Sequence, residues 1–298
     1  MRVRTIVIGN TERIRPSPKH ATSRRTFLGA LVCAGLASCY EPPSPENLLE
    51  FGVRVSRLSG EVLVSEKPDM VLPAASVSKL LIAIALLDAI AASNGEPPGQ
   101  RLAKTKGRLS SGDIRALHDM IVISDNRAAN ALIARIGHRR INEMAKSLGL
   151  ATLRIEGTFL EIRKPVAPKT FITARDGEIL LRHICQRARD DASPLNPYSY
   201  LVRCMSTQSD HRFLRFVLPD SIAVAEKTGE IHNELNDLAI IDPYGTNPVL
   251  FAVLARGTFD VHRDPRGYSF AVHGLVDKEF EIARQAGIAA REVVRRPI

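Results

Sequence analysis

The stretch SVSKLLIAIALL at residues 76–87 joins a Ser-x-x-Lys tetrad to an almost uninterrupted apolar run. The apolar residues continue to position 92, which is long enough to predict a central, buried helix. Because Leu72-Pro73-Ala74-Ala75 precedes the run, we expect Ser76 near the N-terminus of that helix. Residues three apart share a helix face, so Lys79 is expected within reach of the Ser76 hydroxyl. The alternative is a surface Ser and Lys at an ordinary helix start.

Two further motifs follow in order, Ser124-Asp125-Asn126 and Lys227-Thr228-Gly229. A serine hydroxyl needs a base to become a good nucleophile, and a lysine in a crowded, partly buried cationic site can act as that base. A cation and a hydroxyl at a strand end suit a substrate carboxylate. Each motif also has a structural interpretation, because Ser and Asp are common N-caps and a glycine after a strand marks a turn.

The three motifs in this order resemble the set shared by serine β-lactamases and penicillin-binding proteins. The resemblance covers roughly residues 48–295 and indicates a divergent class A β-lactamase-like subgroup. It implies that Ser76 is the acylated nucleophile, that Lys79 moves protons, and that Ser124 relays a proton to the leaving nitrogen. The substrate-binding residues that it implies are Asn126, Lys227, Thr228, Gly229 and Glu230. It also implies an oxyanion hole made by the backbone N–H groups of Ser76 and Glu230.

The sequence departs from the class A pattern in two places. That pattern has an E-x-x-L-N motif whose glutamate activates the deacylating water, and the region Glu156–Pro165 lacks it. Glu161 is the better candidate for the base, and the alternative is a solvated loop charge. Without a base the acyl-enzyme is expected to be long-lived. The second departure is Glu230, which we expect to cancel part of the positive charge of Lys227.

The order of elements predicts an α+β fold. Strands come first, then helices, then strands, then a closing helix, which favours one antiparallel sheet built from the N- and C-terminal segments and packed against helices, with an inserted all-helical lobe. The family resemblance implies the same architecture. The expected elements are a hairpin over 51–64, helices at 76–92, 126–136, 142–148, 173–184 and 274–294, a helical piece capped by Asp113, and strands at 222–227, 238–241 and 248–254.

Residues 1–38 are predicted to be a signal peptide. Ser23-Arg24-Arg25-Thr26-Phe27-Leu28 is typical of a twin-arginine signal, and the apolar stretch after it is too short to span a bilayer. Leu36-Ala37-Ser38-Cys39 resembles a lipobox, which predicts a lipid on Cys39; the alternative is a plain cleaved signal peptide. Residues 39–47 then form a Pro-rich tether to a hydrolase domain at 48–298. We therefore expect an exported protein in the periplasm or cell envelope that meets the membrane only through its lipid.

The charge distribution argues against nucleic acid as a partner. The chain carries a net charge of +9, but residues 1–38 hold seven basic residues against one acidic residue, so +3 remains for the rest. With no basic stripe of interleaved aromatics, nucleic acid is not an expected partner.

Cys185 and Cys204 are interpreted either as a disulfide or as two buried thiols in separate helices. His118, His183 and His211 are isolated, and we expect neither a metal nor another cofactor.

The sequence thus predicts an exported serine hydrolase, a monomer, that is acylated at Ser76. β-Lactam hydrolysis is the leading activity, and the missing motif predicts that its turnover is slow. A D,D-peptidase or penicillin-binding protein that acts on cell-wall peptides is the main alternative, followed by an esterase. A non-catalytic, wall-associated binding lipoprotein is the alternative from a different class.

Overall fold

The computed structural model describes residues 49–92, 109–159, 170–190, 196–209, 214–231 and 234–257. All of them belong to one unit that spans Pro43–Ile298. The signal peptide, Cys39, the tether, Glu161 and the helix expected at 274–294 lie outside the described residues. The domain boundaries at 38 and 47 therefore stay predictions.

The described part of the chain contains seven strands, seven α-helices and one short 3-10 turn. The 3-10 turn, Ala75–Ser78, comes directly before α1. The elements in chain order are β1 (Leu49–Arg57), β2 (Val62–Glu66), β3 (Leu72–Pro73), α1 (Lys79–Ala92), α2 (Ser111–Val122), α3 (Asn126–Ile136), α4 (His138–Ser147), β4 (Phe171–Ile172), α5 (Ala174–Asp190), α6 (Pro197–Ser206), α7 (Leu214–Val217), β5 (Val224–Ile231), β6 (Glu234–Ile241) and β7 (Val249–Gly257).

The main sheet confirms the expected α+β architecture. Its five strands lie in the order β2-β1-β7-β6-β5, and every neighbouring pair is antiparallel. The first described strand pairs with the last, Val53 opposite Val253, so N- and C-terminal segments share one sheet with the helical segments between them in sequence. A second, two-stranded sheet joins β3 to β4 beside the start of the 3-10 turn.

Helix α1 forms the centre of the core. Every residue from Leu80 to Leu87 is at most 3% exposed, as the all-apolar sequence requires. Alternate residues of β6 divide between two apolar clusters, with Leu238 and Ile240 facing the α1 side and Ala239 and Ile241 the other. None of the described helices is long and apolar enough to cross a membrane.

Several boundaries differ from those expected. Helix α4 begins at His138 rather than Asn142, and α2 is capped by Ser110, with Asp113 as the reciprocal partner in a capping box. The Lys-Thr-Gly motif lies inside β5 rather than at a strand end, because pairing with β6 continues through Gly229 and Glu230 to Ile231.

The interpretation of the cysteines as separate thiols is confirmed. Cys185 on α5 and Cys204 on α6 are both buried and free. Burial raises the pKa of the Cys185 thiol to about 11, so this group stays protonated at neutral pH. The two residues therefore act as small apolar side chains of the core.

A buried carboxylate fastens α5 to the sheet. Glu178 accepts hydrogen bonds from Ser56 Oγ at 2.6 Å, Arg54 Nε at 2.7 Å and Arg182 Nη2 at 2.8 Å. Burial alone would raise the pKa of Glu178, but these three hydrogen bonds and the charge of Arg54 outweigh it and hold the pKa below its ordinary value. The contact therefore stabilises the fold most when Glu178 is ionised.

The Glu178→Gln variant is expected to lower the free energy of unfolding by about 2–3 kcal/mol at pH 7, because two guanidinium groups lose their charged partner. Since the folded pKa is depressed, this stability is present above the ordinary carboxyl pKa of about 4.3 and is lost as the pH falls through the folded value. The difference in the free energy of unfolding between wild type and variant should therefore shrink as the pH falls. Urea denaturation from pH 7 to pH 3 measures this difference.

Glu143→Gln is the matched control for this measurement. Glu143 pairs with Arg139 at 3.6 Å on the surface, where its side chain is 59% exposed. Such pairs contribute less than about 1 kcal/mol, so the control should behave like wild type. An equal effect of both substitutions would contradict the special role of Glu178.

Candidate active site

Ser76 lies in the 3-10 turn that leads into α1, and its side chain is partly exposed. The residue before it, Ala75, has φ of 45°, a left-handed conformation that is costly for a residue with a side chain. The Ser78 hydroxyl donates to the Ala75 carbonyl at 2.7 Å and fixes this turn. The 3-10 turn thus replaces the first helical turn expected from the sequence, while the Ser76–Lys79 proximity is retained.

Lys79 brings the first two motifs together. Its amine contacts Ser76 Oγ at 3.1 Å, Ser124 Oγ at 3.1 Å and Asn126 Oδ1 at 2.8 Å. It also donates to the Ser124 carbonyl at 2.5 Å. The residue is fully buried, so its amine is shielded from water by the residues around it. One nitrogen therefore lies within proton-transfer distance of both hydroxyls that the sequence assigns to catalysis.

The amine of Lys79 is poised to change its charge near neutral pH. Burial, followed by the positive charge of Lys227, lowers its pKa to about 7, and the charge of Asp125 opposes this shift. A substantial fraction of neutral amine is then present at pH 7. Only the neutral amine has a lone pair that accepts the Ser76 proton, so the arrangement can supply a general base without a histidine.

The Ser-Asp-Asn motif caps a helix and also contacts the amine of Lys79. Asp125 caps α3 by accepting a hydrogen bond from the Ala128 N–H at 2.6 Å. Ser124, between α2 and α3, has φ of 56°, again in the left-handed region. In this conformation both its hydroxyl and its carbonyl oxygen contact Lys79. The helix cap therefore holds the strained residue against the amine of Lys79.

The Lys-Thr-Gly segment of β5 passes directly against the turn that carries Ser76. A Cβ atom on Gly229 would lie 3.0 Å from the backbone nitrogens of Ser76 and Val77, so a side chain there would displace them. Lys227 is fully buried and donates to the Thr228 carbonyl at 2.8 Å. Glu230 is exposed. The strand thus brings all three motifs to one site.

Residues 46–268, about three quarters of the chain, match the model of the β-lactamase enzyme family. The chain belongs to this family. It is a β-lactamase-like serine hydrolase, and the resemblance seen in the three motifs is confirmed. No match to a curated protein sequence was found.

Solved structures show the same fold at low sequence identity. A mutant of PBP-A, solved as an acyl-enzyme complex with penicillin G, is 21% identical with a TM-score of 0.63 and covers 84% of this chain and 93% of its own. A β-lactamase from Sphaerobacter thermophilus is 22% identical with a TM-score of 0.60, covering 85% and 95%. A β-lactamase from Burkholderia vietnamiensis is 19% identical with a TM-score of 0.62, covering 81% and 91%.

Two buried amides of this β-lactamase-family site were given no role by the sequence analysis. Gln208, 1% exposed, donates to Thr228 Oγ1 at 2.5 Å and accepts from the Thr228 N–H at 3.2 Å, so it orients the hydroxyl of the third motif. Asn236 is fully buried and donates to the Pro73 carbonyl at 2.9 Å, which ties β6 to the segment before Ser76. The only local signal for either contact is that a buried amide needs partners.

With neutral Lys79 as the expected base, acylation of Ser76 should increase with pH around a midpoint near 7 and level off above it. The Lys227→Met variant removes the neighbouring positive charge that lowers the Lys79 pKa, so the midpoint should move to higher pH. Stopped-flow measurement of acylation from pH 5 to pH 10 tests both statements. A midpoint that stays near 7 in Lys227→Met would contradict the assignment of Lys79 as the titrating group.

Proposed function

We propose that this serine hydrolase is acylated at Ser76 by the strained amide of a β-lactam and then hydrolyses the acyl-enzyme. The observation that supports it most is the amine of Lys79, fully buried and 3.1 Å from the hydroxyls of both Ser76 and Ser124. An acyl transfer from an amide needs one proton removed from the nucleophile and one delivered to the leaving nitrogen. A single amine between two hydroxyls serves both needs.

The proposed acylation uses these contacts of Lys79. Neutral Lys79 accepts the Ser76 proton while Oγ attacks the carbonyl carbon, and the developing oxyanion is stabilised by the backbone N–H groups of Ser76 and Glu230. The C–N bond then breaks. The leaving nitrogen takes the proton of the Ser124 hydroxyl, which is restored from the Lys79 ammonium, so the amine is neutral again when the ester has formed.

Substrate recognition is proposed along β5. Thr228, oriented by Gln208, offers its hydroxyl to a substrate carboxylate, and Lys227, whose amine donates to the Thr228 carbonyl, adds positive charge nearby. Asn126 is within reach of the substrate amide. The exposed carboxylate of Glu230 is on the same side of the strand as Thr228 and disfavours a strongly anionic substrate.

A D,D-peptidase that acts on cell-wall peptides is the second candidate. It is favoured by the absence of the E-x-x-L-N motif between the second and third motifs. It is also favoured by the position of β5 at the edge of the sheet in the described part of the chain, where an extended peptide can pair beside Gly229. The same Ser76 acylation would begin both reactions.

Intact-mass analysis after mixing with a penicillin tests the proposal. Wild type should gain the mass of one penicillin, and peptide mapping should place it on Ser76. Ser76→Ala should form no adduct while its thermal unfolding stays close to that of wild type. Ser199→Ala is the control, because that hydroxyl bonds the Ala188 carbonyl within the helices, and it should be acylated normally.

The outcomes of the penicillin experiment distinguish the functions that the sequence left open. An adduct followed by release of hydrolysed penicillin supports the β-lactamase. An adduct without release, together with cleavage of D-Ala-D-Ala peptides, supports the peptidase. Turnover of simple esters alone supports an esterase. No adduct with any of these substrates, in a folded protein, would refute the proposal and leave a binding lipoprotein.

We also propose that the protein is exported by the twin-arginine route and anchored in the cell envelope by a lipid on Cys39. Support comes from the arginine pair at 24 and 25, the following apolar stretch and the Leu-Ala-Ser-Cys sequence. Wild type should fractionate with membranes and Cys39→Ala should be released by osmotic shock. Equal release of both would refute the lipid anchor, and retention of both in the cytoplasm would refute export.

A further inference from the structure

The outer edge of β5 is closed by side chains over part of its length. On an edge strand, the backbone N–H and C=O groups of alternate residues point away from the partner strand and can pair with an added strand. Arg215 on α7 donates from Nη2 to the Val224 carbonyl at 3.1 Å. Gln208, before α7, accepts from the Thr228 N–H at 3.2 Å. By the same alternation the next outward residue is Glu230, so the closed stretch ends at Thr228.

Gln208 is held in place from both sides along the chain. Thr207, the residue before it, is the C-cap of α6. Ser209, the residue after it, donates to the Val122 carbonyl from its N–H at 3.0 Å and from its hydroxyl at 3.1 Å. The Gln208 side chain is buried and has little room to move. Its contact with Thr228 is therefore fixed by the ends of α2 and α6.

The same amide fixes the direction of the Thr228 hydroxyl. A backbone N–H can only donate, so the Gln208 atom beside it is the carbonyl oxygen, and the atom 2.5 Å from Thr228 Oγ1 is the amide nitrogen. That nitrogen donates, so Oγ1 accepts from Gln208 and its own proton points away from this residue. Lys227 Nζ donates to the Thr228 carbonyl at 2.8 Å and adds positive charge. The closed edge therefore ends in donors that suit an anion.

We propose that Gln208 is a positioning residue that restricts this site to substrates that end in a carboxylate at Thr228. It closes the edge of β5 at this residue, so an extended substrate pairs beside Glu230 but cannot continue along the strand past Thr228. This inference rests on the proposed acylation of Ser76 and deepens it. The class includes β-lactams with a free carboxylate and peptides cut before their last residue. Peptides cut at an internal bond are excluded, because their next residue would meet Gln208.

Three forms of penicillin G test the inference: the free acid, its methyl ester, and its amide with glycine, which moves the carboxylate one residue further along. Stopped-flow measurement gives the second-order rate constant of acylation, and intact mass confirms the adduct on Ser76. Wild type should react with the free acid at least about tenfold faster than with either derivative, because both lose a charge-assisted hydrogen bond to Thr228. The glycine amide should be the slowest, since it also meets Gln208.

Two substitutions of Gln208 should change this selectivity in different ways. The Gln208→Glu carboxylate accepts from the Thr228 hydroxyl and repels an anion, so the free acid should lose at least about ten times more of its rate than the methyl ester. Gln208→Ala opens the edge and should raise the rate of the glycine amide relative to the free acid at least about tenfold. Its pH midpoint of acylation should stay near 7, since no charge beside Lys79 has changed.

Gln186→Glu and Gln186→Ala are the matched controls, because they make the same changes on the exposed part of α5 and should leave all three rates as in wild type. Thermal unfolding shows which variants fold. If Gln208→Glu does not fold, Gln208→Met replaces it. Methionine has a similar length and no amide, so the preference for the free acid over the methyl ester should fall.

Failure of the inference and failure of the proposed function give different results. No Ser76 adduct with any of the three probes in wild type refutes the proposed function, and this inference with it. A wild type that reacts equally well with the free acid and the glycine amide leaves the proposed function intact and overturns this inference alone. Equal losses with all three probes in the Gln208 variants would mean that the residue only supports the fold, and would also overturn it.

Discussion

The site depends on a single buried amine. Lys79 is enclosed by four oxygen contacts and one aromatic ring, and it is fully removed from solvent. A charged ammonium buried in this way is costly, and a second positive charge on Lys227 increases that cost. The fold does not relieve it with a directly paired carboxylate in the described part of the chain. Instead the pKa of the amine is lowered to about 7, so a substantial fraction of Lys79 is uncharged at neutral pH and can take a proton.

The candidate site contains two residues in a strained backbone conformation. Of the four non-glycine residues with positive φ in the described part of the chain, Ala75 precedes Ser76 and Ser124 belongs to the second motif. Each is fixed by neighbours that do not react: the Ser78 hydroxyl at the first, and the Asp125 cap of α3 at the second. Gly229 completes the arrangement, because β5 approaches the nucleophile turn more closely than a side chain would permit. Packed helices and strands therefore define the distances around Lys79.

Local patterns predicted most of the elements, and the order of elements predicted the shared antiparallel sheet, but particular contacts between distant residues were missed. The apolar run of α1, the hairpin of β1 and β2 and the bounds of α3 follow from local periodicity and caps. The location of Lys-Thr-Gly inside β5 does not, since β6 extends the strand through contacts that only the folded chain creates. The contacts of Gln208 and Asn236 were missed for the same reason. Each amide binds a residue 20 or more positions away, a relation without a local signature.

The features that lower the pKa of Lys79 also restrict what can stand beside it. Burial and the positive charge of Lys227 lower this pKa, whereas the charge of Asp125 opposes the shift. A further carboxylate close to the amine would stabilise the ammonium and weaken the amine as a base. A base for hydrolysis of the proposed acyl-enzyme would therefore have to stand far enough from Lys79 to leave its pKa low.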